Sequence, residues 1–202
     1  MFTVQSHVTK NLEVWSTEIA SEWHDVWTIG NLNILQGERI AVFCSSRCPG
    51  DVILRAFDLA RSLRNRDLVL VGGFHSPMEK EILHLLLRGS CRVVVCPSRA
   101  MHRFRLSNEF RTAVEANKLL LVSPFAESIH SGSSATAEER NQFVAALAAR
   151  ILVVHASTGG KIEALAIKLL GAEKPVILLG DSNEELCKRG GILIDNFMTT
   201  AK

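Results

Sequence analysis

The sequence carries almost no net charge: 23 Lys and Arg against 21 Asp and Glu leave +2 over 202 residues. A whole-molecule field that would draw the chain onto nucleic acid or an anionic membrane is therefore missing, and any basic site has to be local. Cys-x-x-Cys pairing is also missing. The five cysteines, Cys44, Cys48, Cys91, Cys96 and Cys187, are odd in number and stand mostly in or beside apolar runs. They read as reduced thiols of a cytosolic protein rather than as a zinc site or a disulfide framework. No apolar run approaches the roughly 20 residues of a membrane span, and Met1–Trp15 lacks the basic start and apolar stretch of a secretory signal. The expectation is a soluble, cytoplasmic chain without membrane contact. Neither GxGxxG nor GxxxxGK[ST] occurs, which disfavours NAD binding and NTP hydrolysis, and no metal or cofactor is expected. Internal repeats and long linkers are absent too, so one core is the natural organisation for this length.

What is present is an alternation. Six short apolar segments, Arg39–Cys44, Asp67–Val71, Cys91–Cys96, Lys118–Val122, Arg150–His155 and Lys174–Leu179, have the length and continuous apolarity of strands buried on both faces. Between them lie helix-like stretches at Gly50–Leu63, Pro77–Arg88, Leu106–Ala116, Ala137–Ala149 and Lys161–Leu170. Alternating β and α elements imply right-handed crossovers, hence an α/β, Rossmann-like, mainly parallel sheet with helices on both faces. Residues 1–37 differ. They carry Trp15, Trp23 and Trp27 and no strong strand signal before Val26–Ile29, and read as an N-terminal helix and extended lead-in packed on a domain spanning 38–202. The tryptophans could stack on bases, but anchoring this segment to the core is the simpler role. Ser128–Ala137, rich in Ser and Gly, reads as a flexible loop ahead of a helix.

In a parallel sheet, ligands bind beyond the carboxyl ends of the strands, so the residues that follow each strand are the candidates. They are Ser45-Ser46-Arg47-Cys48-Pro49-Gly50, Gly72-Gly73-Phe74-His75-Ser76, Pro97-Ser98-Arg99 and Ser157-Thr158-Gly159-Gly160-Lys161. Small residues there let backbone N–H groups approach a phosphate, and helix N-termini add partial positive charge. Any one such loop could simply be a turn with a helix cap. Several on one edge favour an anion-binding cleft. Arg140, early in its helix, opposes the helix dipole and needs a further reason. His75 and His155 each follow a strand and could titrate near neutral pH, though turn or packing roles serve as well. Arg99, His102, Arg103, Arg105 and Arg111 form the densest basic stretch, suited to a phosphate backbone or to a solvated face.

From about Gly30 to Asp195 the chain resembles the core of the DNA-processing protein A (DprA/Smf) family. The pieces are Ile29-Gly30-Asn31-Leu32, the strand Arg39–Phe43 running into Ser46-Arg47, Gly72-Gly73-Phe74-His75, Asn108, the helix Arg140-Asn141-Gln142-Phe143-Val144-Ala145-Ala146-Leu147, the strand and turn from Ile151 to Gly160, and Asn183, Leu186 and Gly190-Gly191. The resemblance implies binding of single-stranded DNA or a nucleotide phosphate in DNA processing and recombination, without turnover. It also implies a homodimer and a recombinase partner. By position, Arg47, Arg140, Asn141 and Lys161 become phosphate contacts and Gly72, Gly73 and Gly159 shape the pocket; Ser46, Arg99, Asn108, Ser157 and Gly160 complete the set. Where the family has Phe-Pro before Arg-Asn, this sequence has Ala137-Glu138-Glu139. A more distant resemblance is to the Lonely guy phosphoribohydrolases, through Val42–Ser46 and Gly159 with Glu163. It implies a nucleotide-derived ligand and would make Glu163 a catalytic carboxylate; otherwise Glu163 is an exposed helix residue.

Overall fold

The computed structural model describes residues 3–8, 22–102, 104–181 and 183–194. The expected N-terminal helix with Trp15, and Arg103 of the basic stretch, lie outside the described residues.

Nine strands form one sheet: β1 (Gln5–Val8), β2 (Asp25–Ile29), β3 (Arg39–Cys44), β4 (Val69–Gly72), β5 (Arg92–Val95), β6 (Leu119–Ser123), β7 (Arg150–His155), β8 (Val176–Leu178) and β9 (Ile192–Leu193). Their order across the sheet is β1-β2-β6-β5-β4-β3-β7-β8-β9. From β6 to β9 every pairing is parallel, while β1–β2 and β2–β6 are antiparallel. The crossovers are α1 (Gly50–Leu63), α2 (Pro77–Leu87), α3 (Asn108–Glu115), α4 (Ser134–Leu147), α5 (Lys161–Gly171) and the short α6 (Glu184–Lys188). The Rossmann-like sheet expected from the alternation is therefore present, extended by an antiparallel pair at one edge. No helix among the described residues is long and apolar enough to cross a membrane.

The strands are buried on both faces, as their unbroken apolarity requires. Successive side chains alternate. Ala41, Phe43, Val71, Val94, Leu120, Ile151 and Val153 face one core, closed by Phe143 and Leu147 of α4 and Ala166 of α5. Ile40, Val42, Leu70, Val93, Val95, Leu121 and Leu152 face the other, closed by Ala56 of α1 and by Ile82 and Leu86 of α2. Trp23 is an anchor, its ring edge-on to Phe143 at 5.2 Å and 76°. Trp27 is half-buried against the second core.

Ser128–Ala137 is not loop throughout. Ser133 caps α4, accepting from the N–H of Thr136 while the Thr136 hydroxyl accepts from the N–H of Ser133, so the helix starts at Ser134. This reciprocal cap satisfies two otherwise orphaned donors, which propensity alone does not reveal.

The strand order reverses at β3: β4 lies on one side of it and β7 on the other. The loops after β3 and β7 thus flank the switch point, where a parallel sheet opens a crevice.

Candidate functional site

Because β3 to β9 run in one direction, the loops after β3, β4, β5 and β7 emerge on the same edge. The two central loops are tied together. Ser45 N–H donates to the His155 carbonyl at 2.9 Å, and Ser157 N–H donates to Ser45 Oγ at 3.0 Å. Beyond this tie Ser46 and Arg47 are exposed, and Ser157, Gly159, Gly160 and Lys161 lie opposite. Gly159 adopts φ +69°, and a Cβ built there would meet nothing within 4 Å. That loop leaves open space.

The helices that begin at the switch point are also distinctive. α1 follows Pro49 and α5 follows Gly160, and neither has a side-chain cap. α2, α3, α4 and α6 are capped by Ser76, Ser107, Ser133 and Asn183. The first N–H groups of α1 and α5, at the crevice, therefore have no side-chain cap, and the positive end of each helix dipole lies with them. An anion there would meet donors from two helices.

The β4 loop is built differently. Gly72 and Gly73 admit parts of the protein itself: a Cβ at Gly72 would lie 3.0 Å from the Phe74 ring, and one at Gly73 would lie 1.4 Å from Arg140 Nη1. Phe74 takes φ +48°, a left-handed conformation unusual for a bulky residue, and folds its ring back over Gly72. The space these glycines leave is occupied from within.

Arg140 is only 5% exposed, so it is neither surface decoration nor an open phosphate anchor. Nη1 donates to the Cys96 carbonyl at 3.4 Å, and Nε has no hydrogen-bond partner. Burial pulls the guanidinium below the ordinary arginine value, opposed by the nearby Glu79 carboxylate and Cys96. Glu79 is itself buried. It accepts from Cys44 N–H at 2.8 Å, His75 N–H at 2.7 Å and Ser76 N–H at 3.2 Å, and forms the capping box of α2 with Ser76. Burial pushes the Glu79 carboxyl up, while those N–H donors and Arg140 pull it down. One carboxylate thus welds the β3 and β4 loops, and the guanidinium above Gly73 ties α4 to the β4 and β5 loops. Glu79 escaped the sequence reading, although Ser76-Pro77-Met78-Glu79 has capping-box spacing.

Glu163 is not an exposed helix residue. It is 8% exposed, with Oε2 accepting from Gly159 N–H at 2.7 Å and Oε1 from Asn183 Nδ2 at 2.7 Å. Asn183 also donates to the Ala156 carbonyl and accepts from Leu186 N–H. Both carboxylate oxygens brace the β7 loop against α6, each accepting one hydrogen bond.

The remaining candidates separate. Lys161 Nζ pairs with Glu138 and Ser134, joining the start of α5 to the first two turns of α4; this hydrogen bond and charge hold the Glu138 carboxyl below its ordinary value. Asn141 is half-buried on α4. Arg99 is exposed after β5, its Cζ 5.2 Å from the Phe104 ring centroid. Asn108 lines a separate depression with Leu87, Arg88 and Lys118, towards the amino ends of the strands. His75 lies below its ordinary pKa through burial first, then Arg140 and Lys80; His155 does so through burial, opposed by Asp51.

The structure of DNA processing protein A from Streptococcus pneumoniae is similar at a TM-score of 0.79 and 15% identity, over 100% of this chain and 75% of that one. DNA processing protein A from Helicobacter pylori, whose structure concerns its single-stranded DNA binding mode, gives 0.75 at 17% identity over 98% and 94%. The molybdenum cofactor binding protein of Rippkaea orientalis gives 0.55 at 13% identity over 81% and 94%. Likeness at these identities concerns the fold. No curated sequence matches significantly. The profile of the DNA recombination-mediator protein A family, however, matches residues 10–191. Matched over most of its length, this chain belongs to that family.

Proposed function

We propose that the chain binds single-stranded DNA, without turnover, along the carboxyl edge of its sheet as a step in DNA processing or recombination. One observation carries the reading. At the switch point, the uncapped N-termini of α1 and α5 meet exposed Ser46 and Arg47 and the turn at Gly159, where a Cβ would meet nothing within 4 Å. Backbone phosphates there would accept from helix N–H groups, hydroxyls and Arg47, with Lys161 and Arg99 extending the path to either side. Arg140 supports the edge from beneath and touches no phosphate. Glu138 competes for Lys161. A homodimer and a recombinase as recipient of the strand complete the proposal by family resemblance.

The test is fluorescence anisotropy with a short oligo-dT across a salt series. Three cation contacts should give a slope in log K against log salt of about −2, since single strands contribute about −0.7 per neutralised phosphate. Arg47→Ala should lower affinity and reduce the slope by about 0.7, and Glu138→Gln should strengthen binding by freeing Lys161. No binding at low salt by protein shown to be folded would reject the proposal.

A further inference from the structure

The amino edge of the sheet, opposite the proposed phosphate path, carries a second concentration of cations. Arg64 and Arg88 are the C-cap residues of α1 and α2, Arg66 follows α1, and Lys118 leads into β6. Their loops are stitched together. Cys91 N–H donates to the Arg64 carbonyl at 2.8 Å, Ser90 N–H to Asn65 Oδ1 at 3.4 Å, and Lys118 Nζ to the Leu87 and Gly89 carbonyls at 3.1 and 2.8 Å. Acids nearby are already engaged: Asp58 by Arg61, Asp67 by Arg92 and Glu109 by His84. The guanidinium groups of Arg64, Arg66 and Arg88 have no partner among the described residues. A cation suits a helix C-terminus, and Lys118 serves that end by donating to the carbonyls that close α2, but the three arginines donate to none. Their three full charges exceed the half-charges of the two helix ends beneath them, so a local positive surplus remains.

Arg88 and Lys118 also border a depression of about 330 Å³ between α2 and α3, lined by Leu87, Thr112 and Ala113. It is at the lower end of ligand-pocket size. No aromatic ring lines it, so a nucleobase would have nothing to stack on, whereas an aliphatic side chain would meet Leu87 and Ala113. We infer that the amino edge docks an acidic segment of a partner protein, its carboxylates on Arg64, Arg66 and Arg88 and one aliphatic side chain in the depression between α2 and α3. Charge complementarity selects the acids, and the lining selects the anchor. Strands of six residues in β3 and four in β4 separate this edge from the proposed strand path by about 13–20 Å, more than the Debye length of about 10 Å. Both edges can therefore be occupied at once, and the inference stands independently of the single-strand reading.

The probe is a short labelled peptide of Asp and Glu around one central Leu, followed by fluorescence anisotropy at low salt. It is tested on wild type, on Arg66→Ala, on the triple variant Arg64→Ala, Arg66→Ala and Arg88→Ala, and on Thr112→Phe, which fills the depression and removes no charge. Melting curves confirm folding, and the exposed Arg66 supplies a variant that folds even where the triple does not. Each arginine should contribute about two- to fivefold, as exposed ion pairs do, so the triple variant should bind about 10- to 100-fold more weakly. Exchanging the central Leu of the peptide for Ala, or filling the depression in Thr112→Phe, should weaken binding by about 10-fold. Oligo-dT affinity should stay within about twofold in every variant, because the two edges are more than a Debye length apart. The inference is overturned by an absence of peptide binding to folded wild type, by peptide affinity that ignores the arginine variants, or by equal affinity for the Leu and Ala peptides. Loss of oligo-dT binding in the arginine variants with no peptide binding would also overturn it, and would make this edge a nucleic-acid surface.

Discussion

Gly73→Ala measures how tightly the carboxyl edge is packed from within. Gly73 is not among the residues at positive φ, so its backbone accepts alanine. The obstacle is steric: the new Cβ would lie 1.4 Å from Arg140 Nη1, 2.0 Å from Cζ and 2.7 Å from Nε. The guanidinium has to move. Overpacking of this kind costs about 1–3 kcal/mol. The bond to Cys96 and the counter-charge to buried Glu79 are lost with it, adding about 1 kcal/mol, below the usual range for a charged hydrogen bond because the 3.4 Å contact is long. The expected total is about 3 kcal/mol, or a fall in Tm of about 6–12 °C for a domain of this size. Urea and thermal unfolding of wild type, Gly73→Ala, Arg140→Ala and the double variant provide the assay. With Arg140 truncated there is nothing for the new methyl to strike, so alanine at 73 should then cost under about 1 kcal/mol, a coupling of about 2 kcal/mol. An alanine penalty as large in the Arg140→Ala background as in wild type would refute the packing argument.

Glu163→Gln should act on stability rather than on any reaction: its amide nitrogen must face either Gly159 N–H or Asn183 Nδ2, two donors opposed, at a cost of about 1–3 kcal/mol. Differential scanning fluorimetry would register the drop; an unchanged Tm, or free base released from a nucleoside monophosphate by wild type and lost in the variant, would contradict the bracing role. Acidification should destabilise the fold through His155 and, in the same direction, His75. Both are held below their ordinary values, so the unfolded chain takes up protons first; the stability they contribute is complete above about pH 6.5 and is lost as pH falls through the folded values. Melting curves from about pH 8 to about pH 5 should show a falling Tm, less steep in His155→Gln, and a rise would reverse the argument.

Local pattern determined the scaffold. Arg39–Cys44 and Arg150–His155 are strands with the very limits that their apolar runs suggest, and Gly50–Leu63 is a helix over its whole expected length. The shared edge of Ser46-Arg47, Gly72-Gly73 and Ser157–Lys161 follows from that alternation too, because parallel strands joined by right-handed crossovers can only present their carboxyl ends together. Family membership was legible in the order of those pieces.

Tertiary structure alone decided what each side chain does there. Arg140 lies on the buried side of α4 and reaches Gly73, 67 positions earlier in the chain, and Glu163 meets Asn183 across the β7 loop. Neither distance is encoded in a helical or strand period, which specifies a face but not what packs on it. β1 and β9 were equally invisible, being short and at the sheet's edges, where the partner strand rather than the segment's own apolarity makes the strand. Sequence therefore determined which loops meet, through local periodicity and chain handedness; three-dimensional packing determined which of their polar groups are used up inside the fold and which remain free for a ligand, because burial and hydrogen-bond pairing are properties of long-range contacts.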